Sequence, residues 1–179
     1  MSLMINSESS SKKKSVILIG FMGSGKTTVG KELSKSGLEF LDTDAYIEEC
    51  EQMSISDIFA KKGEAYFRHA ETKALKSLLK KTNPFVLSCG GGMPLREENR
   101  LLLKKLGTVV YLRVKPETVI TRLKGDTTRP LLQGDDSENK VRTLMKEREE
   151  RYTEGADYIL DVDQKSPNEL VNEILTFFS

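Results

Sequence analysis

The chain has 179 residues, enough for one domain with a substantial core. Its formal net charge is +1, so electrostatics give no reason to expect a nucleic-acid partner. The longest uncharged run, Thr82–Leu95, is shorter than the roughly 18 apolar residues that a membrane span needs. Two cysteines, Cys50 and Cys89, are too few for a disulfide framework, and we expect both to be reduced thiols.

The amino-terminal segment is polar and rich in serine and lysine. We expect residues 1–13 to form a disordered tail, of which residues 1–3 resemble a cloning remnant. The lysines before the first apolar run resemble a signal peptide, but that run is short, and Lys26 interrupts the segment after it. We therefore expect a cytoplasmic protein, with one domain over residues 14–179.

Apolar runs of strand length alternate with longer helical patterns along this domain. The predicted strands are Val16–Ile19, Glu39–Leu41, Phe85–Ser88, Thr108–Val114 and Tyr158–Val162. The predicted helices are Lys26–Lys35, Glu64–Lys81, Leu95–Leu106, Glu117–Lys124, Ser137–Tyr152 and one that Pro167 opens, with Leu170, Val171, Ile174, Leu175 and Phe178 on its apolar face. Such alternation predicts right-handed crossovers and a parallel sheet covered by helices on both faces.

The first predicted strand leads into "GFMGSGKT", Gly20 to Thr27, which fits the phosphate-loop pattern. Its glycines let backbone N–H groups converge on phosphate oxygens, and the next helix adds the positive end of its dipole. Lys26 can reach the β- and γ-phosphates, while the Thr27 hydroxyl can bind Mg²⁺. Because the motif is specific and lies between a predicted strand and a predicted helix, it predicts a nucleoside triphosphate site.

Other features narrow the class of enzyme. The guanine-reading segment Asn-Lys-x-Asp of GTPases is missing, because Asn139-Lys140 lacks the aspartate. Motor and AAA-type ATPases normally have much longer chains. A long polar stretch, residues 125–136, is predicted to be a lid that carries Arg129 over a phosphoryl transfer to a metabolite hydroxyl, with a solvated surface loop as the alternative.

Charged residues elsewhere suggest the acceptor end of the site. Asp42 and Asp44 follow the second strand, where one can turn to a metal and the other to the acceptor hydroxyl; the alternative is that Asp44 only caps the next helix. Arg68, one turn before Glu71, offers a planar fork for a carboxylate, unless it lies on the surface. His69, the only histidine, is interpreted as structural or exposed.

Three glycines, Gly90–Gly92, follow the apolar strand "FVLSC". Consecutive glycines cost backbone entropy, so a close approach to the backbone or a sharp bend is expected there. We favour backbone amides that contact a ligand over a plain loop.

Six segments, taken in chain order, resemble the shikimate kinase family. The resemblance rests on "GFMGSGKTT", "FLDTD", "IFAKKGEAYFRHAE", "LSCGGG", "TTRPLL" and "EREERY", and it extends from Lys14 to the carboxyl terminus. It implies an α/β, three-layer P-loop kinase fold whose five-stranded parallel sheet has the order 2-3-1-4-5. It also implies ATP-dependent, Mg²⁺-assisted phosphorylation of the shikimate 3-hydroxyl, in the pathway to chorismate and the aromatic amino acids. We expect a monomer, since nothing in the sequence demands more.

The resemblance assigns roles residue by residue. The ATP-binding residues are then Gly23, Ser24, Gly25, Lys26, Thr27, Thr28, Arg122, Arg129 and Pro167, of which Arg122 and Pro167 flank the adenine. The substrate-binding residues of the region 44–71 are Asp44, Phe59, Phe67, Arg68 and Glu71. The others are Gly90, Gly91, Gly92 and Arg148. The expected catalytic residues are Lys26, Asp44 and Arg129. Thr27 and, through water, Asp42 would hold Mg²⁺.

Two alternatives remain open at the level of the sequence. Another small P-loop kinase, acting on gluconate or a nucleoside monophosphate, would also carry the phosphate loop and arginines. A non-catalytic nucleotide-binding domain would be expected to lack Asp44 or Arg129, and both are present.

Overall fold

The structure, a computed structural model, describes residues 15–126, 134 and 136–178. The strands are β1 (Val16–Ile19), β2 (Glu39–Asp42), β3 (Phe85–Ser88), β4 (Thr108–Arg113) and β5 (Tyr158–Asp161). The helices are α1 (Lys26–Ser34), α2 (Thr43–Glu51), α3 (Ile55–Lys62), α4 (Glu64–Leu78), α5 (Glu97–Leu106), α6 (Pro116–Leu123), α7 (Ser137–Gly155) and α8 (Pro167–Thr176), and a 3₁₀ turn spans Met93–Leu95.

The five strands form one parallel sheet in the order β2-β3-β1-β4-β5, which confirms the expected fold. The three inner strands are buried almost along their whole length, as their apolar runs predict for a sheet covered on both faces. The edge strands β2 and β5 are more exposed.

The sheet brings the candidate residues to one edge. β1 runs into the phosphate loop, β2 ends at Asp42, and Asp42 lies opposite Ser88, the last residue of β3. Because neighbouring parallel strands end at the same edge, the phosphate loop, Asp42 and the glycines after Ser88 meet there.

A second, smaller apolar cluster lies outside the sheet layers, between α2, α3 and α4. Its buried members are Ile47, Ile58, Phe67, Ala70 and Ala74. Phe67, Ala70 and Ala74 recur at helical spacing on one face of α4, so burial of that face fixes the rotation of the helix. The same rotation buries Glu71 and leaves Arg68 half-buried beside it.

Several sequence-based boundaries were wrong in detail. Helix α3, which Ser54 caps, was not predicted, and Leu95 belongs to the 3₁₀ turn rather than to α5. Leu175, placed on the apolar face of α8, is 41% exposed. The predicted tail over residues 1–13 lies outside the described residues, as does most of the predicted lid.

Among the helices that the structure describes, none combines the length and the apolar character that a membrane span requires.

Candidate active site

The phosphate loop turns sharply between β1 and α1. Gly25 is the N-cap of α1 and has φ +93°, a left-handed conformation that favours glycine. A side chain at Gly20 would also collide with the Leu112 carbonyl oxygen, since a Cβ there would lie 2.6 Å from it. The glycine spacing of the motif therefore follows from the path of the backbone.

Lys26 lies across its own loop. Its Nζ donates to the carbonyl oxygens of Gly20 at 2.8 Å and Phe21 at 2.9 Å, and to Ser24 Oγ at 3.4 Å. The ammonium is thus held by partners within six residues of it, in the loop that its motif assigns to phosphate.

A cavity of about 250 Å³ joins the phosphate loop to the carboxyl ends of β2 and β3. It is lined by Met22, Gly23, Gly25, Lys26, Thr27, Thr28, Asp42, Asp44, Ser88, Cys89, Gly90 and Gly91. Larger clefts of about 880 and 890 Å³ lie elsewhere, at the amino ends of the strands and beside Arg113 and Asp161. We favour the smaller cavity because it alone among the three is lined by the phosphate loop.

Asp42, not Asp44, caps helix α2. Asp42 Oδ1 accepts hydrogen bonds from Asp44 N at 3.0 Å and Ala45 N at 3.1 Å. The capping alternative for Asp44 is therefore wrong, and its side chain lines the cavity one residue inside the helix.

The oxygen atoms near the phosphate loop suit a hard cation. Thr27 and Asp42 line the same cavity, and Thr27 Oγ1 lies 3.5 Å from Ser88 Oγ. In the described residues no group of three or more His, Cys, Asp or Glu side chains could enclose a metal ion. Mg²⁺ fits this arrangement, because it is commonly held by one or two protein oxygens together with water and nucleotide phosphates.

On α4 the half-buried Arg68 pairs with the buried Glu71. Arg68 Nη1 donates to Glu71 Oε2 at 2.9 Å, and Arg68 Nη2 lies 3.4 Å from Oε1 of the exposed Glu64. The surface alternative for Arg68 is therefore wrong. Burial raises the pKa of the Glu71 carboxyl, although the Arg68 guanidinium acts in the opposite direction. Glu71 Oε1 has no hydrogen-bond partner among the described residues.

The glycines after β3 are packed against these charged groups. A Cβ on Gly90 would lie 2.8 Å from Asp44 Oδ1 and 3.6 Å from Glu71 Oε1, and one on Gly92 would collide with the Arg68 guanidinium, whose Nη2 would lie 2.6 Å away. Side chains of α2 and α4 therefore occupy the space beside these glycines, and contact of their amides with a ligand stays a prediction.

Arg148 approaches the same glycines from α7. Its Nη1 would lie 3.5 Å from a Cβ on Gly91, and its Cζ lies 5.8 Å from the centroid of the Phe21 ring in the phosphate loop. Tyr152, one turn later on α7, donates from its hydroxyl to the Gly91 carbonyl at 2.8 Å. The sequence motif contained Tyr152 but gave it no role; its spacing of four residues from Arg148 was the available signal.

The remaining predicted residues that the structure describes are Phe59, Phe67, Arg122 and Pro167. Phe59 and Phe67 form a tilted ring pair with centroids 4.8 Å apart, beside Arg68, whose Cζ lies 5.4 Å from the Phe67 centroid. Arg122 Nη1 donates to the Gly23 carbonyl at 2.8 Å, and Pro167 opens α8 within a capping box. Their positions beside adenine stay predictions.

Two further predictions concern residues away from the cavity wall just described. Arg129 lies outside the described residues. His69 is exposed, on the α4 turn that carries Arg68.

The two cysteines differ in environment. Cys89 is buried under the glycine loop, and burial raises the pKa of its thiol. Cys50 lies on α2 and is exposed.

Comparison with known proteins places this geometry in a family. The family model described as "Shikimate kinase" matches residues 22–179. A shikimate kinase from a Sulfurihydrogenibium species is 44% identical over 164 residues, which cover 91% of this chain and 96% of the relative. The solved shikimate kinase of Acinetobacter baumannii, in complex with shikimate, is 41% identical with a TM-score of 0.84 and 92% coverage of both chains. The Aquifex aeolicus enzyme is 40% identical with a TM-score of 0.75, and the alignment covers 90% of this chain and 94% of that one. This chain belongs to the shikimate kinase family.

Proposed function

We propose that this chain transfers the γ-phosphoryl group of ATP to the 3-hydroxyl of shikimate, giving shikimate 3-phosphate and ADP in the pathway to chorismate and the aromatic amino acids. One observation carries the proposal: a single cavity is lined by the phosphate loop and by Asp44, Gly90 and Gly91. Donor and acceptor can therefore meet in one enclosure. Family membership supports the choice of substrate, since the solved relative from A. baumannii is described in complex with shikimate.

Phosphoryl transfer mainly needs alignment of the reactants and stabilisation of spreading negative charge. Lys26, at the start of α1, supplies a positive charge beside the loop amides that bind phosphate. Asp44 faces the acceptor end of the cavity, where it orients the 3-hydroxyl and takes its proton as the oxygen attacks.

The acceptor is a carboxylic acid, and two arginines lie beside the glycine loop that borders the pocket. Arg68 is half-buried and keeps its orientation through Glu71, while Arg148 lies beside Gly91. Planar guanidinium groups bind a carboxylate in a fixed geometry, so these two arginines orient the ring with its 3-hydroxyl toward Asp44.

Mg²⁺ would be held by Thr27 and, through water, by Asp42. When bound there, it neutralises phosphate charge and helps align the β- and γ-phosphates. Arg129 would add a further positive charge to the transferred phosphate from the lid 125–136.

The test is an ADP-release assay with ATP, MgCl₂ and, in separate reactions, shikimate, gluconate, AMP or no acceptor. Of these acceptors, we expect only shikimate to be turned over, and this turnover should stop when EDTA removes the divalent cation. Stronger turnover with gluconate or AMP would favour the other small-kinase function. ATP binding without turnover of any acceptor would favour a non-catalytic domain.

We also propose that the enzyme is a cytoplasmic monomer, since the expected phosphate, metal and acceptor residues all belong to a single copy of the sequence. Light scattering of the purified protein tests the oligomeric state, and a mass near twice 20.1 kDa would contradict it.

A further inference from the structure

In the glycine loop after β3, each of the three carbonyl oxygens accepts a hydrogen bond from a different donor. The Gly90 carbonyl accepts from Met93 N at 3.1 Å, and the Gly92 carbonyl accepts from Leu95 N at 3.2 Å. These two bonds are local turns of the backbone. The carbonyl between them, that of Gly91, accepts from the Tyr152 hydroxyl at 2.8 Å, across 61 residues of sequence.

The Tyr152 hydroxyl is placed there by packing on several sides. Tyr152 is 1% exposed, and its ring lies 5.2 Å from that of Tyr111 in β4. The Tyr111 hydroxyl makes a separate hydrogen bond, donating to Glu149 Oε2 at 2.6 Å rather than to the glycine loop. Burial raises the pKa of the Tyr152 phenol, with Arg148 acting in the opposite direction, so the group stays a hydrogen-bond donor at neutral pH.

A hydrogen bond to the Gly91 carbonyl fixes the orientation of the whole Gly91–Gly92 peptide. The Gly91 C=O and the Gly92 N–H belong to one planar trans peptide, so they point in opposite directions and turn together. A peptide between two glycines has little steric resistance to rotation. A side-chain donor that holds the C=O therefore fixes the direction of the Gly92 N–H.

We propose that Tyr152 is a positioning residue for the acceptor, fixing the Gly91–Gly92 peptide so that its N–H is preset toward the anionic end of the substrate beside Arg68 and Arg148. This inference rests on the proposed function for the identity of that substrate. Tyr152 is not among the residues that line the cavity, so it acts through the peptide and through Arg148. A Cβ on Gly91 would lie 3.6 Å from the Tyr152 hydroxyl and 3.5 Å from Arg148 Nη1.

The experiment compares Tyr152→Phe with Tyr111→Phe in the full chain. Each variant keeps its ring and loses one buried hydroxyl, so both should fold with similar losses of melting temperature. We expect Tyr152→Phe to raise KM for shikimate about 3- to 10-fold, the range for one hydrogen bond, with kcat and KM for ATP within about twofold of the parent. Tyr111→Phe should leave all three within about twofold.

An unchanged KM for shikimate in Tyr152→Phe would overturn the inference, and so would an equal rise in Tyr111→Phe. If the parent fails to phosphorylate shikimate, the proposed function fails, and the positioning claim is then decided by NMR on the free protein. A lower order parameter for the Gly92 N–H in Tyr152→Phe than in the parent and Tyr111→Phe would support it. Equal order parameters in all three proteins would overturn it.

Discussion

The phosphate end and the acceptor end of the site differ in how far along the chain their partners lie. At the phosphate end, Lys26 is held by Gly20, Phe21 and Ser24, all in its own loop. At the acceptor end, the glycines after β3 contact Arg68 of α4 and, 61 residues away, Tyr152 of α7.

This difference predicts two kinds of response to substitution. At the phosphate end Lys26 is held within its own loop, so changes in α4 should leave ATP binding nearly intact. The distant contact at this end comes from Arg122 of α6, which donates to the Gly23 carbonyl. The acceptor end depends on how α4, α7 and the glycine loop pack together, so small steric changes there should alter substrate affinity selectively. Substitutions at Lys26, Asp44, Gly92 and Glu71 test that contrast, in decreasing order of expected effect.

Replacement of Lys26 by alanine removes the point charge assigned to the β- and γ-phosphates. We expect kcat/KM for ATP to fall about 100-fold or more, because that charge acts on the transferred group. The melting temperature should change little, since the partners of Lys26 are carbonyls and a hydroxyl at a partly exposed loop. Activity within threefold of the parent would remove Lys26 from the catalytic machinery.

Replacement of Asp44 by asparagine keeps the shape of the side chain and removes its charge. Because Asp42 provides the cap of α2, the helix should persist while kcat falls about 100-fold. Asp42→Asn is the matched control, since asparagine also caps helices well; it should instead raise the Mg²⁺ concentration needed for half-maximal rate. A loss of activity in Asp44→Asn that parallels a matching loss of thermal stability would refute the catalytic assignment.

Alanine at Gly92 or at Gly91 adds one methyl group at neighbouring positions. At Gly92 the new Cβ would collide with the Arg68 guanidinium, whereas at Gly91 its nearest neighbour, Arg148 Nη1, is at an ordinary 3.5 Å. Gly92→Ala should therefore raise KM for shikimate about 10-fold by displacing a bidentate arginine, with less than about a threefold rise for Gly91→Ala. Neither should alter KM for ATP. Equal effects of the two variants would mean that Arg68 is not held against Gly92.

The smallest expected effect is a pH dependence of stability from Glu71. Burial raises the pKa of its carboxyl, so its contribution to folding is fully present below about pH 4.5 and is lost as pH rises through the raised value. Relative to the parent, Glu71→Gln should gain melting temperature, on the order of 2 °C, as pH rises from 4.5 toward neutrality. Glu64→Gln alters the exposed partner of the same arginine and is the control. If the two variants change in parallel with the parent across this range, Glu71 is not the titrating group.

The sequence predicted best the features that lie close together along the chain. The phosphate loop is one contiguous motif, and the alternation of strands and helices predicts a parallel sheet whose carboxyl edge holds the site. The sequence left Asp44 between two roles because the capping residue depends on where β2 ends and α2 begins. Such boundaries cannot be predicted to within a residue or two from sequence.

Features created by tertiary contact could not be predicted in this way. Helix α3 is short, and only Ile58 of its residues is buried, in a cluster that exists once α2 and α4 are in place. The hydrogen bond from Tyr152 to Gly91 likewise joins two segments, and the sequence of neither one indicates that it contacts the other. The spacing of Leu175 fits the apolar face of α8. The helix ends at Thr176, however, and Leu175 is exposed near that end.

The unequal exposure of the two cysteines gives the natural chain a selective attachment point. A maleimide reacts with an accessible thiolate, so it should modify Cys50 on α2 and spare Cys89, which is shielded beneath the glycine loop with a raised pKa. One fluorophore per molecule can then be placed on the helix that carries Asp44, without any engineered substitution. Emission from that fluorophore can be recorded in a protein that contains no tryptophan.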